Sequence, residues 1–369
     1  MTELERIPAG ETAQIESIVR LTIEQLKRRY PGADSVRRGV HVKDHGCVTA
    51  RFKVIDALPE PLRVGVFAKA GHEYEAYVRF SNAAVADAPD SDVGADGATR
   101  HGSRGMAVKL LGVTGEPLVP TFGPLTQDFL MVNHPVFPFS NVEDYLALSE
   151  VLLANADKAD KFFERVRMKD GKPDLTDAAT RRALGTLQIV KRVQSATMPP
   201  AYQAPPASPA DNRYFSGAPF LFGADRVMKF SASPVSPASG GLPVVSERDY
   251  LRMALLKRLT APNAEDLVFE FQVQIRTTAE LAGRIDTEIE DACCEWDENE
   301  YPFETVGILT IPPQDFETEQ QRTVCERLIF TPWHGIAEHR PLGGINRLRR
   351  AVYEASAQLR SMPKEPAHW

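Results

Sequence analysis

Three stretches of this chain carry side chains that could do chemistry together. Arg38-Gly39-Val40-His41-Val42-Lys43-Asp44-His45-Gly46 contains a histidine among cations. Asp128-Phe129-Leu130-Met131-Val132-Asn133-His134-Pro135-Val136-Phe137 contains an asparagine. Arg349-Arg350-Ala351-Val352-Tyr353 contains a tyrosine with an arginine one helical turn before it. An imidazole can carry a proton from one oxygen to another, and an amide can donate to a developing negative charge. A phenol has a pKa of about 10 in water and ligates a metal as phenolate only when the metal and a nearby cation stabilise it. On a helix, Arg349 and Tyr353 are i and i+4 and share a face. Few chemistries need this set at once, and one is peroxide activation on a tyrosinate-ligated haem. Taken singly, each is ordinary. A lone histidine is usually a satisfied core or surface residue, and Arg349–Tyr353 alone reads as a helix-surface pair.

Positioning these groups requires both strands and helices. Ile15 to Arg29 has apolar residues on one face (Ile18, Val19, Leu21, Ile23, Leu26) and ends at Pro31-Gly32, which predicts an amphipathic helix. Val48–Val54 and Glu75–Phe80 alternate, and Met106–Leu111 is a third strand-like apolar run. Asp87–Asp96 reads as a polar surface loop. Val142–Met168 carries helical spacing, and Pro199–Pro209 reads as a Pro/Ala-rich linker. Strand patterns return at Arg226–Ser231, Leu267–Arg276 and Val306–Ile311, with helices expected over Asp249–Thr260 and Gly344–Ser361. This order implies an α+β fold with an antiparallel sheet or barrel and no internal repeat.

Composition narrows the classes. The chain has 369 residues, 25% charged and 43% hydrophobic, which is ordinary for a globular protein. A net charge of −7 gives no electrostatic case for nucleic acid. No apolar run approaches the roughly 20 residues that span a bilayer, and the N-terminus lacks a secretory pattern, so a cytoplasmic protein is expected. Cys47, Cys293, Cys294 and Cys325 form no C-x-x-C, which argues against a zinc ribbon or covalent haem attachment. All four are expected to be reduced.

The segments together resemble the haem catalases. Arg38-x-Val40-His41-x-Lys43-x-x-Gly46 is similar to the distal-histidine segment of that family. Val78-Arg79-Phe80-Ser81 and Arg104-Gly105-Met106-Ala107-Val108-Lys109 resemble the strands that follow it. Asp128 to Phe137 is similar to the distal-asparagine segment, and Trp296, Tyr301-Pro302, Val306-Gly307 and Leu309 to the stretch that closes the barrel. Arg349-x-x-x-Tyr353 matches the proximal arginine and the ligand tyrosine. The resemblance runs in order from residue 38 to 360. It departs at Gly39, at Asp44-His45 and at Glu354-Ala355 after the tyrosine, and the chain lacks the long arm and C-terminal extension of large catalases.

The resemblance implies a single catalase-like domain over 1–369: a helical arm at 1–34, a first barrel half with the distal haem side at 35–140, a helical insertion and linker at 141–210, a second barrel half at 211–315 and a proximal helix at 316–369. It implies haem b on Tyr353, with His41, Asn133 and Ser81 as the catalytic residues. Arg38, Val40, Arg79, Phe137, Arg349 and Arg360 are the expected cofactor contacts. His45, His72, His101, His134, His334, His339 and His368 carry no expected role, and His134 should face away from Asn133's side of its strand. The expected activity is that of the small catalase-related peroxidases: reduction of hydrogen peroxide or organic hydroperoxides through a ferryl intermediate, with an organic electron donor as partner. A wider channel follows from the short chain, and nothing in the sequence points to NADPH. The alternatives are a fatty acid hydroperoxide isomerase or lyase of the allene oxide synthase type, or a non-catalytic haem-binding protein. Val40 beside His41, where the allene oxide synthases carry threonine, favours the peroxidase. A homodimer stays open beside a monomer.

Overall fold

In the computed structural model the described residues are 4–32, 38–83, 89–93, 99–119, 125–155, 158–194, 207–237 and 248–360. Side chains of alternating burial set the architecture. Strand β1 (Asp44–Val54) turns Val48, Ala50, Phe52 and Val54 to one side, β2 (Glu73–Asn82) turns Ala76, Val78 and Phe80, and β3 (Arg104–Leu110) turns Met106, Val108 and Leu110. Strand β4 (Gln127–Val132) adds Phe129 and Met131. After a helical interval come β5 (Tyr214–Phe215), β6 (Arg226–Pro234), β7 (Leu267–Thr277) and β8 (Glu304–Ile311). The sheet runs β6-β7-β8-β1-β2-β3-β4-β5, and β5 pairs again with β6 through Ser231 opposite Phe215. The eight strands therefore close into an antiparallel barrel without a free edge.

The barrel interior is solid. Phe129 lies 4.7 Å from Phe271 and 5.0 Å from Phe230 by ring centroids, and Phe52 lies 5.4 Å from Phe271. A Cβ on Gly307 would stand 2.8 Å from Cε1 of Phe52, so only glycine lets that ring reach the axis. A small barrel filled this way has no ligand space inside. Any site must then use the outer face of the strands, where a helical layer can cover it.

That layer comprises α1 (Glu11–Arg29), α2 (Val142–Ala154), α3 (Ala178–Gln194), α4 (Tyr250–Thr260), α5 (Glu319–Arg327) and α6 (Gly344–Leu359). The Asn141 side chain caps α2 by accepting from the Asp144 amide at 3.0 Å. Ile345 and Leu348 of α6 pack with Ile18 of α1 and Val142 of α2. Arg347 clamps the same junction, donating to Glu5, Glu11 and Glu290 at 2.6 to 3.2 Å.

Several expectations need correction. Asp87–Asp96 is not simply a polar surface loop: Asp90 is fully buried, 2.7 Å from Lys43 Nζ, and Ser91–Val93 pairs with Thr99–His101. Helical structure over Val142–Met168 is interrupted after Ala154 and resumes as a 3₁₀ helix at Ala159–Arg165. Strand β4, implied only by the strand placement of Asn133 and His134, and α3, within the expected helical insertion, had no bounds in the sequence, and α5 was not expected. Cys47 and Cys325 are not reduced but joined as a disulfide, while Cys293 and Cys294 are free. The pairing was hidden because 278 residues separate the two positions. Most of the Pro/Ala-rich segment lies outside the described residues. Among the described residues no helix is long and apolar enough to cross a membrane.

Candidate active site

The outward residues of β2 are the complement of its core residues: Tyr77, Arg79 and Ser81. Their cross-strand neighbours on β3 are Lys109, Ala107 and Gly105, and Gly105 in turn faces Val132 at the end of β4. His41 enters this face from the segment before β1, with φ at +55°, a conformation that side chains other than glycine adopt sparingly. Two contacts hold it there. Its Nδ1 lies 2.9 Å from Ser81 Oγ, and its carbonyl oxygen accepts from Arg79 Nη2 at 2.9 Å. The tautomer with the proton on Nδ1 donates to Ser81 and leaves Nε2 to accept. Gly105 provides the room: a Cβ there would meet His41 Nδ1 and stand 2.5 Å from Cε1 and 2.9 Å from Ser81 Oγ. Burial, and then the charges of Arg79, Arg349 and Arg38, push the imidazole down to about 3, so it is neutral at physiological pH.

Asn133 lies one residue past β4, beside the same glycine. Its Oδ1 accepts from the Arg104 amide at 2.7 Å and from Ser103 Oγ at 3.1 Å. With the oxygen committed to the strand, the NH2 group is directed away from it. The strand edge thus fixes a neutral base and an amide donor side by side.

Tyr353 reaches the same face from α6. It packs on a cluster of Cys47, Tyr77 and Leu130 from the outer barrel wall and Cys325, Leu328 and Phe330 from α5 and the segment after it. The Arg349 guanidinium carbon is 5.7 Å from the Tyr353 ring centre, and Nη1 donates to Asn346 Oδ1 at 3.1 Å. Arg349 is thus beside the tyrosine and held by Asn346. Val40 is half-buried, and Phe137 joins the cluster under α6 while its amide donates to Ala292 O at 3.0 Å. Arg38 donates to the carbonyls of Cys325 and Leu328 at 3.1 and 2.9 Å. Arg79 is only 6% exposed. Burial and the neighbouring Arg38, with a smaller push from Arg360, lower it to about 9 despite Asp44 and Glu326. All ten residues singled out from the sequence therefore lie on the outer face of β1–β4, in the segments bordering it or on α6.

Does this set suit a haem? Among the described residues no group of three His, Cys, Asp or Glu could hold a bare metal ion. One phenol backed by a cation, a neutral imidazole and an amide suit a porphyrin-held iron better than a naked one. Arg38, Arg79 and Arg360 form a partly buried cation cluster, with Asp44 and Glu326 nearby, to which the two propionates of a haem would add counter-charge. The residues fit the group.

Solved structures match this fold over nearly the whole chain. A fungal catalase matches at TM-score 0.59 and 14% identity, covering 94% of this chain and 65% of its own. Catalase A from Saccharomyces cerevisiae matches at 0.61 and 15%, covering 93% and 64%. The fold is catalase-like. A bacterial catalase agrees at 0.60 and 16%, covering 93% of this chain and 60% of its own. The chain thus spans less than two thirds of the length of these catalase chains. No protein-family model matches the sequence, and no curated protein matches it. The outward residues thus face the boundary between the barrel wall and the layer of α5 and α6.

Sequence reasoning passed over three residues here. Gly105 was quoted only within a strand, and its need becomes visible once His41 is in place. Tyr145 of α2, in the cluster with Phe137, has its phenol pushed up to about 12 by burial and then by Tyr353. Asn346, three residues before Arg349, carried the signal of helical spacing. The remaining histidines are structural: His45 pairs with Asn82 at 2.8 Å, His334 with Asp128 at 3.1 Å, His72 stacks edge-on with Tyr74, and His339 accepts from the Val66 amide at 3.2 Å. His134 turns back to Val136 O at 3.3 Å. His368 and the side chain of His101 lie outside the described residues.

Proposed function

We propose that this chain is a haem-dependent peroxide-processing oxidoreductase, a catalase-related peroxidase reducing hydrogen peroxide or organic hydroperoxides at the expense of an organic donor. The observation that carries the reading is the His41–Ser81 pair beside the oriented amide of Asn133. A haem bound on Tyr353 would supply the iron that accepts the peroxide oxygen and holds its oxidising equivalents. His41 Nε2 takes the proton from one peroxide oxygen and returns it to the other, so that water rather than hydroxide leaves. Ser81 holds the ring for both transfers. The Asn133 NH2 donates to the oxygen on which charge develops. Tyr353 would hold the group through its phenol oxygen, with Arg349 beside its ring, and Arg38, Arg79 and Arg360 would receive the propionates. Val40 and Phe137 would border the group. Val40, beside His41, supports the peroxidase reading over the fatty-acid one.

The test is to load the protein with haemin and compare hydrogen peroxide with a polyunsaturated fatty acid hydroperoxide in single turnovers. Donor oxidation by both peroxides, with oxygen release from the first, supports the proposal. Conversion of the lipid to an epoxide or aldehyde without donor, and no oxygen from hydrogen peroxide, overturns it.

A further inference from the structure

Cys47 lies on β1 directly opposite Arg79 of β2, and its sulfur is bonded to that of Cys325 on α5 with Cα atoms 6.0 Å apart. Both are buried, 5% and 8% exposed, and they share the apolar cluster on which Tyr353 rests. The bond is the covalent tie between α5 and the barrel wall. Gln321 Nε2 adds one donation to Cys47 O at 3.2 Å. The end of α5 matters because it grips an arginine: Arg38 donates to Cys325 O and to Leu328 O, and Glu326 is 3.6 Å from its guanidinium. The disulfide therefore touches both sides of the cation cluster, Arg79 across the sheet and Arg38 through the α5 carbonyls.

We propose that Cys47–Cys325 is a reversible redox site that sets how strongly the Arg38–Arg79 cluster holds a dianionic ligand. Oxidised, it pins α5 and keeps Arg38 beside Arg79. A dithiol reductant delivers two electrons and two protons, cleaves the S–S bond to two thiols and leaves as its own disulfide. Segment 319–328 is then held by side-chain contacts alone, and Arg38 loses its fixed carbonyls. Hydrogen peroxide reverses the step: one thiolate attacks an oxygen to give a sulfenic acid and water, the second thiol attacks that sulfur, a second water leaves, and the bond re-forms. This inference rests on the haem reading for the identity of the ligand but not for the motion of α5.

The experiment has two arms. Full-length protein, with the 47–325 bond verified by peptide mass, is titrated with haemin and with haemin dimethyl ester, before and after dithiothreitol. Loss of one charge-assisted contact weakens haemin about tenfold on reduction and leaves the ester unchanged. The Cys47→Ser/Cys325→Ser variant stays at the weaker value under both conditions. Haemin affinity that does not change while the two thiols are released overturns the proposal. In the second arm, hydrogen exchange of residues 319–328 is followed without any ligand. Faster exchange on reduction supports the proposal even if haemin binds neither form, in which case only the haem reading fails. Unchanged exchange, or absence of the bond after peroxide treatment, overturns it.

Discussion

Gly105→Ala should disable the chemistry while leaving the barrel intact. The added methyl would stand 2.5 Å from His41 Cε1, against an ordinary contact of 3.4 Å, so the ring must retreat by about 0.9 Å. The same methyl presses on Ser81 Oγ at 2.9 Å, so the ring cannot move without loosening the hydrogen bond that orients it. A misplacement of about 1 Å costs roughly 100-fold, and complete loss of the base about 10²–10⁴-fold. The expected fall in the rate of reaction with peroxide lies between these figures. Stability should drop by about 1–3 kcal/mol, the ordinary cost of overpacking. The assay is stopped-flow mixing of haemin-loaded protein with hydrogen peroxide, beside His41→Ala and Ser81→Ala. If haemin binds stoichiometrically and Gly105→Ala reacts within about threefold of the parent, the position of the His41 ring does not govern the reaction and the distal assignment is wrong.

Three further outcomes are expected. Tyr353→Phe should weaken haemin by at least about tenfold in an optical titration with its melting temperature unchanged, and equal affinity would remove the tyrosine as ligand. Arg347→Met takes both arginine contacts from buried Glu11 and one cation each from Glu5, which keeps Arg340, and Glu290, which keeps the Arg6 and Gly344 amides, and should cost about 3–5 kcal/mol in urea unfolding; a loss below about 1 kcal/mol would mean the clamp is solvated. His45 and His339 are fully buried, and burial first of all pushes each down to about 4, below the ordinary 6.5. The unfolded chain therefore takes up more protons between these values, so their contribution is complete above about pH 6.5 and is lost as pH falls toward 4. At pH 5 the loss is about 2 kcal/mol each, and His339→Gln should flatten the pH profile of the unfolding free energy by about that amount.

Much of the barrel was legible because its strands alternate: Val48 to Val54 and Leu267 to Val273 each bury every second residue. Strand β4 was not, because Gln127 to Leu130 is covered on both faces and Asp128 is paired with Lys109 at 2.7 Å, which removes the period. Asp90 looked solvated for the same reason: its partners Lys43 and Leu251 N are distant in the chain. The candidate site residues could be nominated only as a set in order. No local pattern could tell that Ser81 meets His41, since the contact depends on the segment before β1 folding back across β2. The arginine cluster and the disulfide depend likewise on α5, a helix whose short polar sequence, Glu319 to Arg327, announces little.

Closure of the barrel also sets a timetable for synthesis. Strands β1 to β4 pair with their successive neighbours and can assemble once residue 132 has emerged, but the partner of β1 is β8, with Arg51 facing Thr310. At about 5–20 residues per second, the free rim of β1 waits roughly 9–36 s for residue 311. Through that interval a ribosome displays an apolar meander whose two outer strands offer unsatisfied amides and carbonyls to any extended peptide nearby. Holdase demand, inclusion bodies at high expression and rescue by slower, cooler growth should therefore trace to the first 132 residues rather than to the region that carries Tyr353.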